Sequence, residues 1–389
     1  MSRGVQNRTQ ANTGAPPRGP IRWPAEWEPH AATWLTWPKN PETWPGLLDE
    51  VALAYGQIIE ALIGGEKVCL VVDDAEAAES ARAALSRQGV RVDGRVAFHW
   101  VNTNDAWIRD YGPIGIFSGP GDAQERVWLN FGFNAWGGKY PPWEFDAAAG
   151  AEIGSALGGP VFDVPQILEG GAIDGNGAGV VLTTESCLLN CNRSSGERKT
   201  TKESANRFLA EWLGAEQVIW LGEGILGDDT DGHVDDLARF VDHHTIVAAV
   251  ETDPHDANQP ALVENWSRLE SARCRSGRPF DLVPIPMPPP VQHAGVRLPA
   301  SYANFYIGNE VVLIPAFEAA TDRRAAAILG ECFPGRDIVR IPSQALVVGL
   351  GALHCLTQQE PLKVPAGEGD RRAEPDSERN RLSVPGVVR

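Results

Sequence analysis

Five short runs of β-branched and other apolar residues punctuate the chain: KVCLVV from Lys67, RVWLNF from Arg126, GVVLTT from Gly179, TIVAAV from Thr245 and EVVLIP from Glu310. Short apolar runs bounded by polar and turn-forming residues predict buried strands. Between them, the stretches Leu47–Gly65, Arg198–Gly214 and Ala320–Phe333 carry apolar residues every three or four positions, the period of a helix with one buried face. Gly64, Gly65 and Gly214 stand where helix C-caps belong. Strand starts recur roughly 50 to 70 residues apart. A unit of strands plus one helix, five times over, predicts an α/β architecture repeated radially around a central site rather than two independent domains.

One further apolar run, Ala345 to Leu353, predicts a buried strand, and it empties into His354, Cys355, Thr357, Gln358 and Gln359. A core strand that delivers a thiol into a polar loop needs a chemical reason. Residues 1–20 and 362–389 are rich in Gly, Pro, Arg, Glu and Ser without apolar periodicity, which predicts disordered tails around a single folded unit, 21–361. The first twenty residues hold no apolar core of the kind a secretory signal contains, and no run approaches the ~20 apolar residues of a membrane span. The expectation is a cytoplasmic protein without a membrane segment.

The formal charge of −17 over 389 residues and the lack of a basic cluster in the folded unit argue against nucleic acid and favour a cationic partner. Six scattered cysteines are too few for a disulfide framework in a chain this long, so Cys355 is expected to be a free thiol. Cys187 and Cys191 lack a second ligand pair at zinc-site spacing, and no metal is expected. Serine-hydrolase elbows and Walker A loops are absent from the sequence.

Polar stretches beside the apolar runs carry the remaining candidates: NTNDAWIRDYGP with Asp110, LEGGAIDGNGAG with Glu169, and GDDTDGHVDDLARF with His233 and Asp235. In an extended segment His233 and Asp235 share one side; alternatively, the acids cap a helix-like DDLARF. A thiolate nucleophile needs a neighbouring His or cation. His354, next to Cys355 on a strand, points to the opposite face, which leaves His233 as its partner. Guanidinium is planar and cationic and matches carboxylates in bidentate fashion. Asp110 and Asp235 holding such a group by its edges set its carbon against Cys355.

Trp23–Pro38, NDAWIRDYGP, NFGFNAWGGKYP, LEGG, LTTESCLLNCNR, DTDGHVDDLARF, SYANFYIGN and LHCLTQQEP, in this order, resemble the agmatine deiminase and bacterial peptidylarginine deiminase family of guanidine-modifying enzymes. The resemblance covers about Trp23 to Pro361. It implies a fivefold pseudo-symmetric α/β propeller and a cofactor-free hydrolase of C–N bonds in linear amidines. Its catalytic set is Cys355, His233, Asp110, Asp235 and Glu169, the last orienting His233. Asn304 shapes the site, and Trp107 and Trp136 wall the aliphatic chain of the substrate, although core packing explains either tryptophan equally well. The implied substrate is agmatine, on the route to putrescine, in a homo-oligomer. Peptidyl arginine, another guanidino compound, amidino transfer by the same thiol, and a silent binder of cations are the alternatives.

Overall fold

A computed structural model describes residues 12–92, 94–194 and 199–363. The five β-branched runs and the three helical stretches fold as their patterns predict. In the helix Leu48–Leu62, Val51, Ala54, Tyr55, Ile58, Ile59 and Leu62 form the buried stripe. The helix Lys202–Leu213 starts under the side chain of Thr201 and stops at Gly214, whose φ of 69° favours glycine. The helix Leu48–Leu62, by contrast, is capped at Ile63, one residue before the expected glycines.

Five sheets share one connectivity, in which a first strand runs antiparallel to a central strand and the central strand crosses through a helix to a parallel neighbour. In one, Thr357–Pro361 pairs antiparallel with His30–Thr36, which crosses through Leu48–Leu62 to Lys67–Val72. The others use Ile114–Ser118, Glu125–Gly132 and Val161–Ile167; Ile173–Gly175, Val180–Thr184 and Gln217–Leu221; Ala238–Phe240, Thr245–Val250 and Asp281–Pro286; and Tyr306–Ile307, Val311–Ala316 and Asp337–Pro342. Crossover helices cover these sheets, so strands such as Val180–Thr184 are buried along their whole length and read as unbroken apolar runs. The expected mixed α/β class is the fold observed.

The first strand of each of these five sheets is preceded, within five residues, by a candidate site residue. Asp110 leads into Ile114–Ser118, Glu169 into Ile173–Gly175, and His233 and Asp235 into Ala238–Phe240. Asn304 leads into Tyr306–Ile307, and Cys355 into Thr357–Pro361. A repeated topology thus delivers one chemical position per repeat.

Three expectations need correction. Ala345–Leu353 is not a strand: Gln344–Val348 is a short helix, followed by a turn through Leu350, with φ of 71°. A run apolar on every side has no period to distinguish the two, and Gly349 and Gly351 end the element. Cys355 therefore sits in a turn before a strand. His233 and Asp235 do not alternate along an extended segment, because Val234–Asp236 is a 3-10 turn. DDLARF continues as the strand Ala238–Phe240 rather than a helix. Of the expected tails, residues 12–20 are described, with Asn12–Thr13 paired to Phe162–Asp163; residues 1–11 and 364–389 lie outside the described residues.

Candidate active site

Asn304 organises the turn that carries the thiol. Its Oδ1 accepts from the backbone N–H of His354 at 2.9 Å, and its Nδ2 donates to Cys355 Sγ at 3.2 Å and to Asp236 Oδ1 at 3.1 Å. The Cys355 thiol also reaches Asp235 Oδ2 at 3.7 Å. Gly351 lies under the turn, where a Cβ would stand 2.5 Å from the Trp107 ring and 3.1 Å from Cys355 Cβ. Trp107 is wedged between this turn and Trp44, with ring centroids 5.3 Å apart, and belongs to the main hydrophobic core. It serves packing and flanks the thiol at once.

Asp110, His233 and Asp235 meet over Gly171. A Cβ there would stand 2.6 Å from His233 Nδ1, 3.0 Å from Asp110 Oδ1 and 3.1 Å from Asp235 Oδ2, so only glycine admits all three. The Gly171 N–H donates to Asp110 Oδ1 at 3.0 Å, and the Trp136 indole donates to Asp110 Oδ2 at 2.9 Å. Trp136 reaches that carboxylate from a left-handed backbone, φ 55°, a conformation that costs a non-glycine residue about 1–3 kcal/mol and clusters at ligand sites. His233 is set by its own backbone N–H, which donates to Asp228 Oδ2 at 3.0 Å and Thr230 Oγ1 at 3.2 Å.

Among the described residues, neither ring nitrogen of His233 has a hydrogen-bond partner; nor do Asp235 Oδ1 and Glu169 Oε2, although all four atoms are buried. Leaving a buried polar atom unpaired costs about 1–3 kcal/mol, and such atoms mark places where a ligand completes the structure. Glu169 lies near His233 but spends its Oε1 on Arg193 Nε at 2.7 Å. A hydrogen bond from the His233 ring to Glu169, by which the family pattern has Glu169 orient the imidazole, is not formed in this arrangement.

Charge in the pocket follows from burial. Burial opposes protonation of His233, but Asp110, together with Cys187 and Asp235, reverses this and holds its pKa well above the usual imidazole range. Burial pushes the Cys355 thiol well up, and Asp235, Asp236 and Asp110 push it further. Burial likewise raises Asp110, against the pull of His233. The His233 and Cys355 shifts favour an imidazolium beside a protonated thiol.

His354 contradicts the expectation that it faces away from the site. Its Nδ1 lies 2.7 Å from the same Asp235 Oδ2 that Cys355 approaches, and its Nε2 lies 2.8 Å from Glu26 Oε2. Each ring nitrogen of His354 thus faces a carboxylate oxygen at hydrogen-bond distance. Glu26 also pairs with Arg239 at 3.0 Å and Arg109 at 3.3 Å, and Arg239 bonds Asp174. Burial alone would raise Glu26; Arg239, His354 and Arg109 hold it well below the usual carboxylate range. Sequence reasoning gives no catalytic role to this rear network or to Cys187 and Arg193, although all but Asp174 lie inside motifs that carry the family resemblance, and Asp174 lies in LEGGAIDGNGAG.

A buried thiol, an unpaired imidazole and two carboxylates around one glycine define a site for a planar cation that a nucleophile can attack. The family model for Porphyromonas-type peptidyl-arginine deiminases matches residues 22–361, and the chain belongs to that family. It is 34% identical to an agmatine deiminase of Pseudomonas syringae pv. tomato, across 87% of this chain and 95% of the relative. Among solved structures it resembles a C. jejuni agmatine deiminase with substrate bound (TM-score 0.78, 32% identity, 88% of this chain and 96% of the other). It also resembles the agmatine deiminase of Enterococcus faecalis (TM-score 0.81, 28% identity, 90% and 100%). No helix among the described residues is long and apolar enough to cross a membrane.

Proposed function

We propose that this protein is an agmatine deiminase, which hydrolyses agmatine to N-carbamoylputrescine and ammonia. The observation that carries the reading is the convergence of Cys355, His233, Asp110 and Asp235, with buried polar atoms left unpaired, on one space. A guanidinium held by the two carboxylates offsets the charge that keeps Cys355 protonated. Substrate binding thereby activates its own nucleophile.

Cys355 loses its thiol proton to solvent as Sγ bonds to the guanidinium carbon, and the His233 imidazolium gives its proton to the departing nitrogen, which leaves as ammonia. The remaining S-alkylthiouronium is attacked by water, which gives one proton to His233 and the other to Cys355 Sγ as the C–S bond breaks. Ureido product and thiol result. Glu169, neutralised by Arg193, holds the field around His233. Asn304 fixes the thiol, and Trp107 and Trp136 flank the aliphatic chain.

Agmatine is favoured over arginine by what lies beyond Asp110. Trp136 packs edge-on against Tyr140 at 5.7 Å, and the Tyr140 hydroxyl donates to Asp229, in a loop with Asp228 and Asp231. An acidic loop suits a terminal ammonium and repels a carboxylate. The five-times-repeated connectivity, with one site residue ahead of each first strand, supports a fivefold propeller formed by a single catalytic domain over 21–361. Cytoplasmic location, a place in putrescine formation, a homo-oligomeric assembly and catalysis without cofactor complete the reading.

Steady-state ammonia release from agmatine, arginine, a blocked arginine peptide and guanidinobutyrate tests it, with Cys355→Ser as control. Agmatine preferred and the control inactive is the expected outcome; turnover of arginine peptides alone would overturn the substrate.

A further inference from the structure

We propose that Glu169, Cys187 and His233 form a binding site for one thiophilic divalent cation of the zinc class, which silences the enzyme by occupying His233. One ligand atom from each lies within 4.8 Å of the other two, and all three side chains are buried. Two of the three present atoms with no hydrogen bond to give up: Glu169 Oε2 and both His233 nitrogens have no hydrogen-bond partner among the described residues. The reaction scheme gives Cys187 no task. Local sequence spacing hides the set, because its members come from three separate segments.

Carboxylate, thiolate and imidazole are the donors zinc takes, leaving a fourth position open. Tetrahedral zinc sets such atoms about 3.5 Å apart, so modest side-chain rotation closes the site. Arg193, on the far oxygen of Glu169, opposes a cation, but Asp110, 3.9 Å from His233, and Asp231, bonded to Arg193, outnumber it. Binding converts the Cys187 thiol to a metal-bound thiolate with release of one proton, and of a second from the His233 imidazolium. The metal then holds the nitrogen lone pair that must carry the proton to and from substrate. Only this silencing rests on the deiminase reading; the binding does not.

The test uses full-length protein treated with chelator, then titrated with Co²⁺ by absorbance and with Zn²⁺ by equilibrium dialysis. One equivalent and a thiolate-to-cobalt charge-transfer band are expected. The band should be lost in Cys187→Ser and Cys187→Ala, the affinity weakened at least tenfold in Glu169→Gln, and both kept in Cys355→Ser. A band that survives both Cys187 variants and vanishes in Cys355→Ser would put the cation on the nucleophile and overturn the site. Absence of binding at hundredfold excess of metal would do the same. Zinc should stop ammonia release from agmatine, reversibly by chelator; binding without inhibition overturns the silencing. If no guanidino compound turns over, the cobalt band still decides the site.

Discussion

Two faces of one charge cluster behave differently. Behind the nucleophile turn, Glu26, Arg109, Arg239, Asp174 and His354 are all buried and are joined by ion pairs and hydrogen bonds. In front of it, both ring nitrogens of His233, Asp235 Oδ1 and Glu169 Oε2 are equally buried and have no hydrogen-bond partner among the described residues. Burial is common to both; satisfaction is not. Paired buried charges build the support that fixes Asp235 and the Cys355 turn, while unpaired ones mark where chemistry happens. Asp235 belongs to both faces, with Oδ2 on His354 and Oδ1 free.

The sharpest way to break this comparison is on the front face. His233→Ala should lower kcat by about 10²- to 10⁴-fold while leaving the fold intact. A variant within threefold of the parent, by ammonia release, would remove His233 from the proton path.

Asp110→Asn and Glu26→Gln separate the faces by sign. Asp110→Asn should lose about 3–5 kcal/mol in kcat/KM, since the substrate cation loses a buried partner. Its stability should hold or rise: Asp110 is raised in the folded state, so its ionised form weighs against folding above the ordinary carboxylate range, and Asn removes that burden. Glu26→Gln should instead cost about 3–5 kcal/mol of stability, because it takes the carboxylate from Arg109 and leaves Arg239 and His354 with one carboxylate each. Glu26 is held low when folded, so its contribution is complete above the usual carboxylate range and fades as pH falls through the folded value. Denaturant titrations of both variants at pH 4 and pH 8 read these opposite trends. Equal destabilisation by the two would erase the distinction.

A third expectation concerns pH. The raised Cys355 thiol carries less thiolate at pH 7 than a free cysteine does, so inactivation by neutral iodoacetamide should keep accelerating above pH 9. A cationic haloacetamidine, drawn between Asp110 and Asp235, should react faster than the neutral reagent at pH 7, and Asp110→Asn should abolish that advantage. A plateau near pH 7 with the neutral reagent would mean a thiolate already formed.

The smallest effect is at Trp136. Trp136→Phe keeps the ring but removes the donor to Asp110 Oδ2, for a loss of roughly 5- to 30-fold in kcat/KM. No change would make the indole a wall only.

Residues of the front face were legible in the sequence because each stands in a polar motif beside an apolar strand, and the order of those motifs carried the family. Those of the rear face were not. Glu26, Asp174, Arg239 and His354 are far apart in the chain, and nothing in a local pattern tells a buried paired charge from a solvated one. His354 was assigned the wrong direction for a related reason. The run before it was read as a strand, whose alternation sends neighbours apart, whereas in the observed turn His354 and Cys355 converge on one carboxylate oxygen. The three helices are legible because their period is clear, and the five strands because short β-branched runs are bounded by polar and turn-forming residues. Ala345–Leu353, apolar at every position, offered no period.

The central claim is that the guanidinium carbon of the substrate is delivered to Cys355. Acid-quenched turnover of agmatine, followed by mass spectrometry of the proteolysed chain, tests it most directly. The account predicts an adduct with the mass of agmatine less ammonia on the peptide that contains Cys355, absent from Cys355→Ser. Sustained ammonia release by Cys355→Ser, or an adduct on Cys187 instead, would contradict it.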